Sequence, residues 1–325
     1  RPNFYPMNEQ LIFSTGRQLF TLTYDGQVSK INLPFTDRMI QPVFHPDGNR
    51  MLMIKGPYDS DIVLLPLQEI TDPSPVTQSY SPFERSNQGE DFAMFQPGGE
   101  LIAYWSLRSG EQQLWLSDGQ QPQQLTDFPT DTFIRGFDWA ADGQSLLVNV
   151  SGVLTQIDLN KQQRTFPLPH AVLQLFHWDS ENNSALLHIR NNGIIQLVAY
   201  DLTHSTSRVV TDQAIQWAAK SADGRLIYKD QLDQFWQPGP VEPQKITALE
   251  NQGDRAASFV INERLIYAIN SQHQLWSYDL NTDTFTVLGA VHEDVEYLTD
   301  VNADQLLLSI KVAAKKEVVE LTVSQ

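Results

Sequence analysis

Phe95-Gln96-Pro97-Gly98-Gly99, followed by the apolar run Leu101 to Trp105, then by Gln113-Leu114-Trp115 and the turn Ser117-Asp118-Gly119, and closed by Gln123 to Leu125, is the stretch that decides the fold. Each apolar run is a few residues long and ends in Gly, Asn or Asp, as short antiparallel strands joined by tight turns require. Gly and Asn adopt positive φ at low cost, so they suit the connections. No window of the chain carries a long helical stripe with caps.

Outward from that stretch the same unit recurs. Phe44-His45-Pro46-Asp47-Gly48 leads into Met51 to Ile54, Trp139-Ala140-Ala141-Asp142-Gly143 into Leu146 to Val150, and Trp178 to Asn183 into Ala185 to Ile189. Lys220 to Gly224, Ile261-Asn262-Glu263 and Asn302-Ala303-Asp304 each precede a further apolar strand, and Met7-Asn8-Glu9 is a diverged first copy. Third strands begin at Gln18-Leu19-Phe20, Gln234-Phe235-Trp236 and Gln274-Leu275-Trp276, and the endings Tyr24-Asp25-Gly26, Ile157-Asp158-Leu159, Tyr200-Asp201-Leu202 and Tyr278-Asp279-Leu280 turn toward a fourth. Within a strand the period is two, with Leu19, Thr21 and Thr23 opposing Phe20, Leu22 and Tyr24. The turns recur about every 41 residues, the length of four short strands with their connections.

A single four-stranded sheet leaves both faces half wet, whereas sheets stacked face to face around an axis bury both. The reading is therefore all-β: a β-propeller of four-stranded antiparallel blades, one domain over residues 1–325. Eight second strands, beginning near residues 11, 51, 101, 145, 185, 225, 264 and 306, favour eight blades. Seven is the alternative, with the first and last partial units sharing one blade. Residues at about 68–90, rich in Pro73, Pro75, Pro82 and Gly89, read as an inserted loop, because the repeat resumes directly after them. The tryptophans 105, 115, 139, 178, 217, 236 and 276 sit at repeat positions and read as packing between sheets.

The 325 residues carry 22 basic and 39 acidic side chains, a net charge of -17, which argues against binding a phosphate backbone. With no Cys, disulfides, thiolate catalysis and cysteine metal sites are excluded, and an oxidising compartment fits. No run approaches the roughly 18 apolar residues of a membrane helix. The start at Arg1-Pro2-Asn3, without Met or a signal-like segment, reads as a processed or excised piece.

The aromatic, x, Pro or Ala, Asp or Gly, Gly pattern followed by a Gln-Leu-Trp strand and an acidic turn resembles the repeat of TolB-like, PD40-type β-propellers. The strongest matches are Phe44 to Gly48, Phe95 to Leu125, Trp139 to Leu159 and Ser221 to Thr247. The resemblance covers nearly the whole chain, although only Phe44-His45-Pro46-Asp47-Gly48-Asn49 approaches the family's Ser-Pro-Asp-Gly-Lys turn. It implies a periplasmic or extracytoplasmic protein that binds others without catalysis. Three family roles are implied: a partner in envelope complexes, an accessory propeller of a larger peptidase, or the sensor region of a membrane-bound winged-helix regulator like the acid-response and virulence activators of enteric bacteria. In the last case the membrane and DNA-binding segments lie outside these residues, so the segment itself makes no nucleic-acid contact.

Sequence-local chemistry is sparse. There is no Gly-x-Ser-x-Gly elbow, no His-Glu-x-x-His and no phosphate-binding Gly-Lys-Ser/Thr loop. The expected face for ligands or partners joins the fourth-to-first and second-to-third connections. Arg38, Arg85, Arg135 and Arg255 recur there just ahead of first strands, beside His170 and His292. Converging arginines hold a carboxylate or phosphate bidentately; the competing reading pairs each with a neighbouring acid. A catalytic alternative, a hydrolase or lyase acting on a small anion at the central tunnel, draws its acids and bases from Glu84, Glu90, Asp131, Asp254, Glu293 and Asp294. Asp59 and Asp61, and the group Asp279, Asn281 and Asp283, read as solvated turns, and no cofactor or metal is expected.

Overall fold

The computed structural model describes every residue except 1, 2, 6–9, 15–17, 34–38, 57, 58, 79, 84, 87, 222, 253–257, 313–316 and 323–325. The described residues form eight antiparallel sheets, six of four strands and two of three. They divide between two compact units, Arg1–Asp59 with Val312–Gln325, and Ser60–Lys311.

In the first unit, β1 (Asn3–Tyr5), β2 (Gln10–Ser14), β3 (Leu19–Leu22) and β4 (Val28–Ile31) form a meander. β5 (Met39–Phe44) and β6 (Arg50–Lys55) make the second sheet with the last strand of the chain, β30 (Glu317–Thr322), on the outer side of β6. Ile12, Leu19, Met39, Phe44, Met51 and Met53 pack into one core against Val319 and Leu321.

The second unit begins with β7 (Ser60–Pro66) and continues through five complete meanders. Sheet I holds β8 (Glu90–Phe95), β9 (Ile102–Ser106), β10 (Gln113–Ser117) and β11 (Gln123–Gln124); sheet II holds β12 (Ile134–Trp139), β13 (Ser145–Val150), β14 (Val153–Asp158) and β15 (Gln163–Phe166). Sheet III comprises β16 (Ala171–Asp179), β17 (Ser184–Asn191), β18 (Ile194–Asp201) and β19 (Thr206–Thr211). Sheet IV comprises β20 (Ile215–Lys220), β21 (Leu226–Asp230), β22 (Phe235–Gln237) and β23 (Gln244–Lys245); sheet V, β24 (Val260–Asn262), β25 (Leu265–Ile269), β26 (Gln274–Asp279) and β27 (Thr284–Ala290). Sheet VI is β28 (Val295–Val301), β29 (Gln305–Lys311) and β7.

The tail after residue 294 does contain three strands, yet they do not form one sheet. β29 takes β7 as its partner, from Gln305↔Pro66 to Lys311↔Ser60, and β30 pairs with β6. Early and late segments thus share sheets, although the first unit, β1–β4, keeps a sheet of its own and does not share one with the last unit as the seven-blade alternative required; the described residues form eight sheets. Asp61 also departs from expectation: it lies within β7 and is 1% exposed, so it is no solvated turn residue.

Apolar runs in the second strands bury both faces. Leu146 and Val148 join the core with sheet I, whereas Leu147 between them joins the core with sheet III. Leu186 packs toward sheet IV while Ala185, Leu187 and Ile189 pack toward sheet II. Ile266 and Ala268 meet sheet IV, and Tyr267 and Ile269 meet sheet VI. Leu307 faces Ala93 and Tyr104 of sheet I, opposite Leu306 and Leu308. Each fully buried Leu contributes about 2 kcal/mol of transfer free energy, so the alternating strand is stabilised on two sides at once.

First strands carry bulges. Register shifts occur at Asp91/Met94, Ile134/Phe137, Leu175/His177, Ile215/Trp217 and Leu298/Asp300. Gly136, in the bulge of β12, has φ +92 and a Cβ there would lie 2.2 Å from the Leu175 carbonyl oxygen, so only glycine lets sheet III approach. Two of the turns that follow share a Gly N–H bond three residues back: the Gly143 N–H donates to Ala140 O and the Gly224 N–H to Ser221 O, while the Ala140 N–H donates to Ser145 O and the Ser221 N–H to Arg225 O.

β7 is followed by a short 3-10 turn, Leu67–Glu69, and the described residues from there to β8 contain no strand. Ile70 joins the core between sheets V and VI, and the Phe83 N–H donates to Ile62 O at the outer side of β7. The segment thereby covers part of the edge that a fourth strand covers in the other sheets.

The Gly136→Ala variant is expected to lose on the order of 2 kcal/mol or more of stability, through both φ and the carbonyl clash. Gly98→Ala, at φ +65 with nothing within 4 Å of the added Cβ, pays the conformational cost alone, about 1 kcal/mol. Urea midpoints of the two variants, read at constant m, check the difference.

Candidate functional site

The fourth-to-first and second-to-third connections of the Ser60–Lys311 unit carry the expected binding residues. Arg85 lies in the segment before β8, mostly exposed, with Nε 3.8 Å from the buried Asp61 carboxylate. Arg135 is exposed in the bulge of β12, and His170 is half-buried in the turn before β16. His292, 9% exposed, accepts the Asp294 N–H at Nδ1 (3.2 Å) and stands edge-on to Tyr80 at 6.2 Å. Arg38, Arg255, Glu84 and Asp254 lie outside the described residues. The polar contacts of Arg85 and His292 are local, and neither pairs with Arg135 or His170.

Among the acids proposed for catalysis, Asp131 and Glu293 are exposed, while Glu90 is committed to structure. Glu90 is fully buried and accepts the Ser86 and Ser106 hydroxyls at 2.5 and 2.8 Å and the Ser86 N–H at 3.1 Å. Arg108 approaches it to 3.4 Å and lies over the Trp115 ring at 4.8 Å. The neighbouring Asp91 accepts the Tyr297 hydroxyl at 2.5 Å. Burial raises Asp91, and burial together with that carboxylate drives Tyr297 well above the usual tyrosine range. Gln113, the head residue of one Gln-Leu-Trp strand, accepts the Phe128 N–H and the Thr126 hydroxyl and donates to Phe128 O, fixing the connection that leads to β12.

Deeper along the first strands lies a group that the sequence reading missed. Asp138 accepts the N–H groups of Trp139 and of Trp178 in the next sheet, at 2.9 and 2.7 Å, and its carboxylate is 2.9 Å from His177 Nδ1. Asp300 repeats the device, accepting Val301 N–H and, from sheet I, Phe95 N–H, both at 2.8 Å. A signal existed: Asp138 precedes the turn residue Asp142 by the same interval as Asp300 precedes Asp304. Burial pushes Asp300 up to about 7, the two N–H groups pull the other way, and nearby Asp138 adds to the rise.

Above this group, aromatic rings run across the unit. Phe92 meets Phe137 at 5.4 Å and Trp217 at 5.9 Å, and Phe176 meets Trp217 at 5.4 Å, so rings on β8 and β20 touch although sheets I and IV are not sequential neighbours. Phe92 holds φ +54, a strained setting for a bulky residue, at the bulge that turns its ring toward this cluster. Beside it, His188 stacks edge-on with Phe176, and burial lowers its pKa to about 4.

The acidic turns are backbone caps. Asp142 Oδ1 accepts Gln144 N–H, Asp158 Oδ1 accepts Asn160 and Gln162 N–H, and Asp279 Oδ1 accepts Asn281 N–H while Oδ2 accepts Arg264 Nε–H. Among the described residues no group of three or more His, Asp or Glu is arranged to hold a metal, and no helix is long and apolar enough to cross a membrane.

No family model matches the chain, and no curated protein matches it in sequence. Solved structures match in shape. TolB from Acinetobacter baumannii aligns with a TM-score of 0.50 at 12% identity, over 94% of this chain and 80% of that one. A chain of a nidogen/laminin complex aligns at 0.51 and 9% identity, over 70% of this chain and 93% of that one. These likenesses concern the fold, a set of antiparallel sheets of the β-propeller kind.

Because Asp300 binds its proton more tightly in the folded chain, near pH 7 against 3.8 when exposed, its contribution to stability is fully present below about pH 4 and is lost as pH rises through 7. His188, lowered from 6.5 to about 4, has the opposite slope over much of this window, so the comparison must be with a variant. Asp300→Asn is expected to be less destabilising at pH 8 than at pH 5, by on the order of a few kcal/mol, in denaturant titrations. Equal losses at both pH values would contradict this.

Proposed function

We propose that the chain is a non-catalytic interaction module of the TolB-like kind. In this reading the six sheets of residues 60–311 close as a six-bladed propeller, which takes the place of the eight-bladed wheel expected from the repeat. Support comes from the apolar cores: each sheet shares one with the next, and Ile62 and Leu307 of sheet VI share one with Ala93 and Tyr104 of sheet I. Tyr297 and Asp300 reach Asp91 and Phe95 across the same junction.

The observation that carries the non-catalytic reading is the row Phe137, Phe92, Trp217, Phe176. These ring contacts link β8, β12, β16 and β20, and in this reading they occupy space that a tunnel enzyme would need for substrate. The buried acids nearby are spent on backbone and hydroxyl donors. The rim remains for recognition, with Arg85, Arg135, His170 and His292 as its polar contacts, and with Phe133, Val153 and Ile194 exposed at 43%, 47% and 56%. Exposed aromatic and aliphatic side chains beside arginines suit a protein partner or a second copy of the chain, and the arginines suit a small carboxylate or phosphate. An extracytoplasmic address is supported by the Cys-free composition and the TolB-like form, and the sensor region of a membrane-bound winged-helix regulator by the repeat's resemblance. The neighbouring coding sequence distinguishes these settings.

The triple variant Arg135→Ala, His170→Ala, Phe133→Ala is expected to keep its far-UV spectrum and lose partner capture from an envelope extract, or self-association, by about tenfold or more. A wild-type chain that stays monomeric and captures nothing between about pH 5 and 8, or a variant that captures as well as wild type, would refute the proposal.

A further inference from the structure

β7 and β30 are each the third strand of a sheet begun by strands far away in the chain. β7 directly follows β6 yet pairs with β29, and β30 directly follows β29 yet pairs with β6. The connections that carry them across, residues 56–59 and 312–316, are no longer than some that close ordinary hairpins elsewhere, such as 15–18, 107–112, 231–234 and 270–273. The two crossings also touch, the Val312 N–H donating to Asp59 O at 3.0 Å. Ser60 stands opposite Lys311 and Glu317 opposite Lys55, so each crossing leaves from the last pair of one sheet and arrives at the first pair of the other. Counted from these pairs, Ile62 and Leu64 of β7 match Val319 and Leu321 of β30, and all four pack against the core of their sheet. The strands differ elsewhere. Ser60 and Val63 are fully buried, whereas their counterparts Glu317 and Glu320 are exposed, the first opposite Lys55 and the second with Oε2 3.8 Å from Arg50 Nη1. Asp61, 1% exposed, matches Val318, 74% exposed, so exchanging the strands would free one buried acid and bury two.

We infer that the chain has two alternative strand pairings, and that Glu317 and Glu320 hold it in the observed one. In the other, β6 turns straight into β7 and β29 into β30 through connections of hairpin length, and every sheet is built of consecutive strands. Ile62 and Leu64 then take the places of Val319 and Leu321 with no change of character. β30, however, sets Glu320 at the position of Val63, in the core between sheets V and VI, and Glu317 at that of Ser60, whose hydroxyl donates to Glu90 O. Moving two carboxylates out of water, and away from Arg50 and Lys55, outweighs the one that Asp61 recovers. The device is separate from the rim invoked above and stands or falls independently of partner capture.

Because the chain has no Cys, introduced thiols report the pairing cleanly. Val319→Cys with Met53→Cys joins residues that are opposite in the observed pairing, and Val319→Cys with Ser309→Cys joins those opposite in the alternative. Each full-length chain is refolded from urea and treated with a short bis-methanethiosulfonate reagent, and the intrachain product is measured by mass. In the otherwise natural chain only the Met53 pair is expected to cross-link. Adding Glu317→Ser and Glu320→Val, which give β30 the character of β7, is expected to raise the Ser309 product about tenfold or more, and Glu320→Val alone, a change at an exposed position, about threefold. Leu321→Ala, which loosens β30 in either pairing, is expected to leave it at background. A Ser309 product as abundant as the Met53 product in the natural chain, no rise in either glutamate variant, or an equal rise with Leu321→Ala overturns the inference. Far-UV spectra confirm that the variants are folded.

Discussion

Burial of both faces of every sheet is the constraint on which the Ser60–Lys311 unit depends. A meander of four short strands cannot satisfy it alone, and the alternation seen at Leu146, Leu147 and Val148 divides one strand between two cores. Removing one sheet would expose two apolar surfaces rather than one. The same constraint explains the bulges of the first strands: neighbouring backbones come so close there that Gly136 has no room for a methyl group.

Polar groups are arranged to serve this packing. Asp138 and Asp300 each cap a backbone N–H on their own strand and another on the next sheet, and Gln96 Nε2 donates to Gly143 O, tying the turns of sheets I and II. Arg225 reaches Leu280 O and Asn281 from sheet IV to sheet V. Much of the acidic excess is therefore local in origin, because an Asp in a turn satisfies two backbone donors without needing a cation.

The strands and turns were legible because their period is short and their punctuation chemical: Asp-Gly and Asn residues mark turns, and the Gln-Leu-Trp heads mark third strands. The sequence also supports eight sheets. It could not assign β7 and β30, since Ile62 to Leu65 and Val318 to Leu321 are short apolar stretches that fit any open edge, and choosing between partners requires the three-dimensional course of the chain. Candidate sites were less legible. Loop positions of Arg85 and His292 followed from the repeat, but their partners, Asp61 and Asp294, became clear only with geometry. The paired caps Asp138 and Asp300 were visible as a spacing and carried no chemical meaning until the next sheet's N–H groups were in place.

The union of β7 with β29 has a consequence for biosynthesis. The first strand of the Ser60–Lys311 unit emerges from the ribosome long before its partner and must wait, with Ile62 and Val63 exposed, while five intervening meanders are made. Nascent chains halted short of β29 should be prey to proteases and chaperones, and completion of that strand should act as the latch that releases them as a finished body.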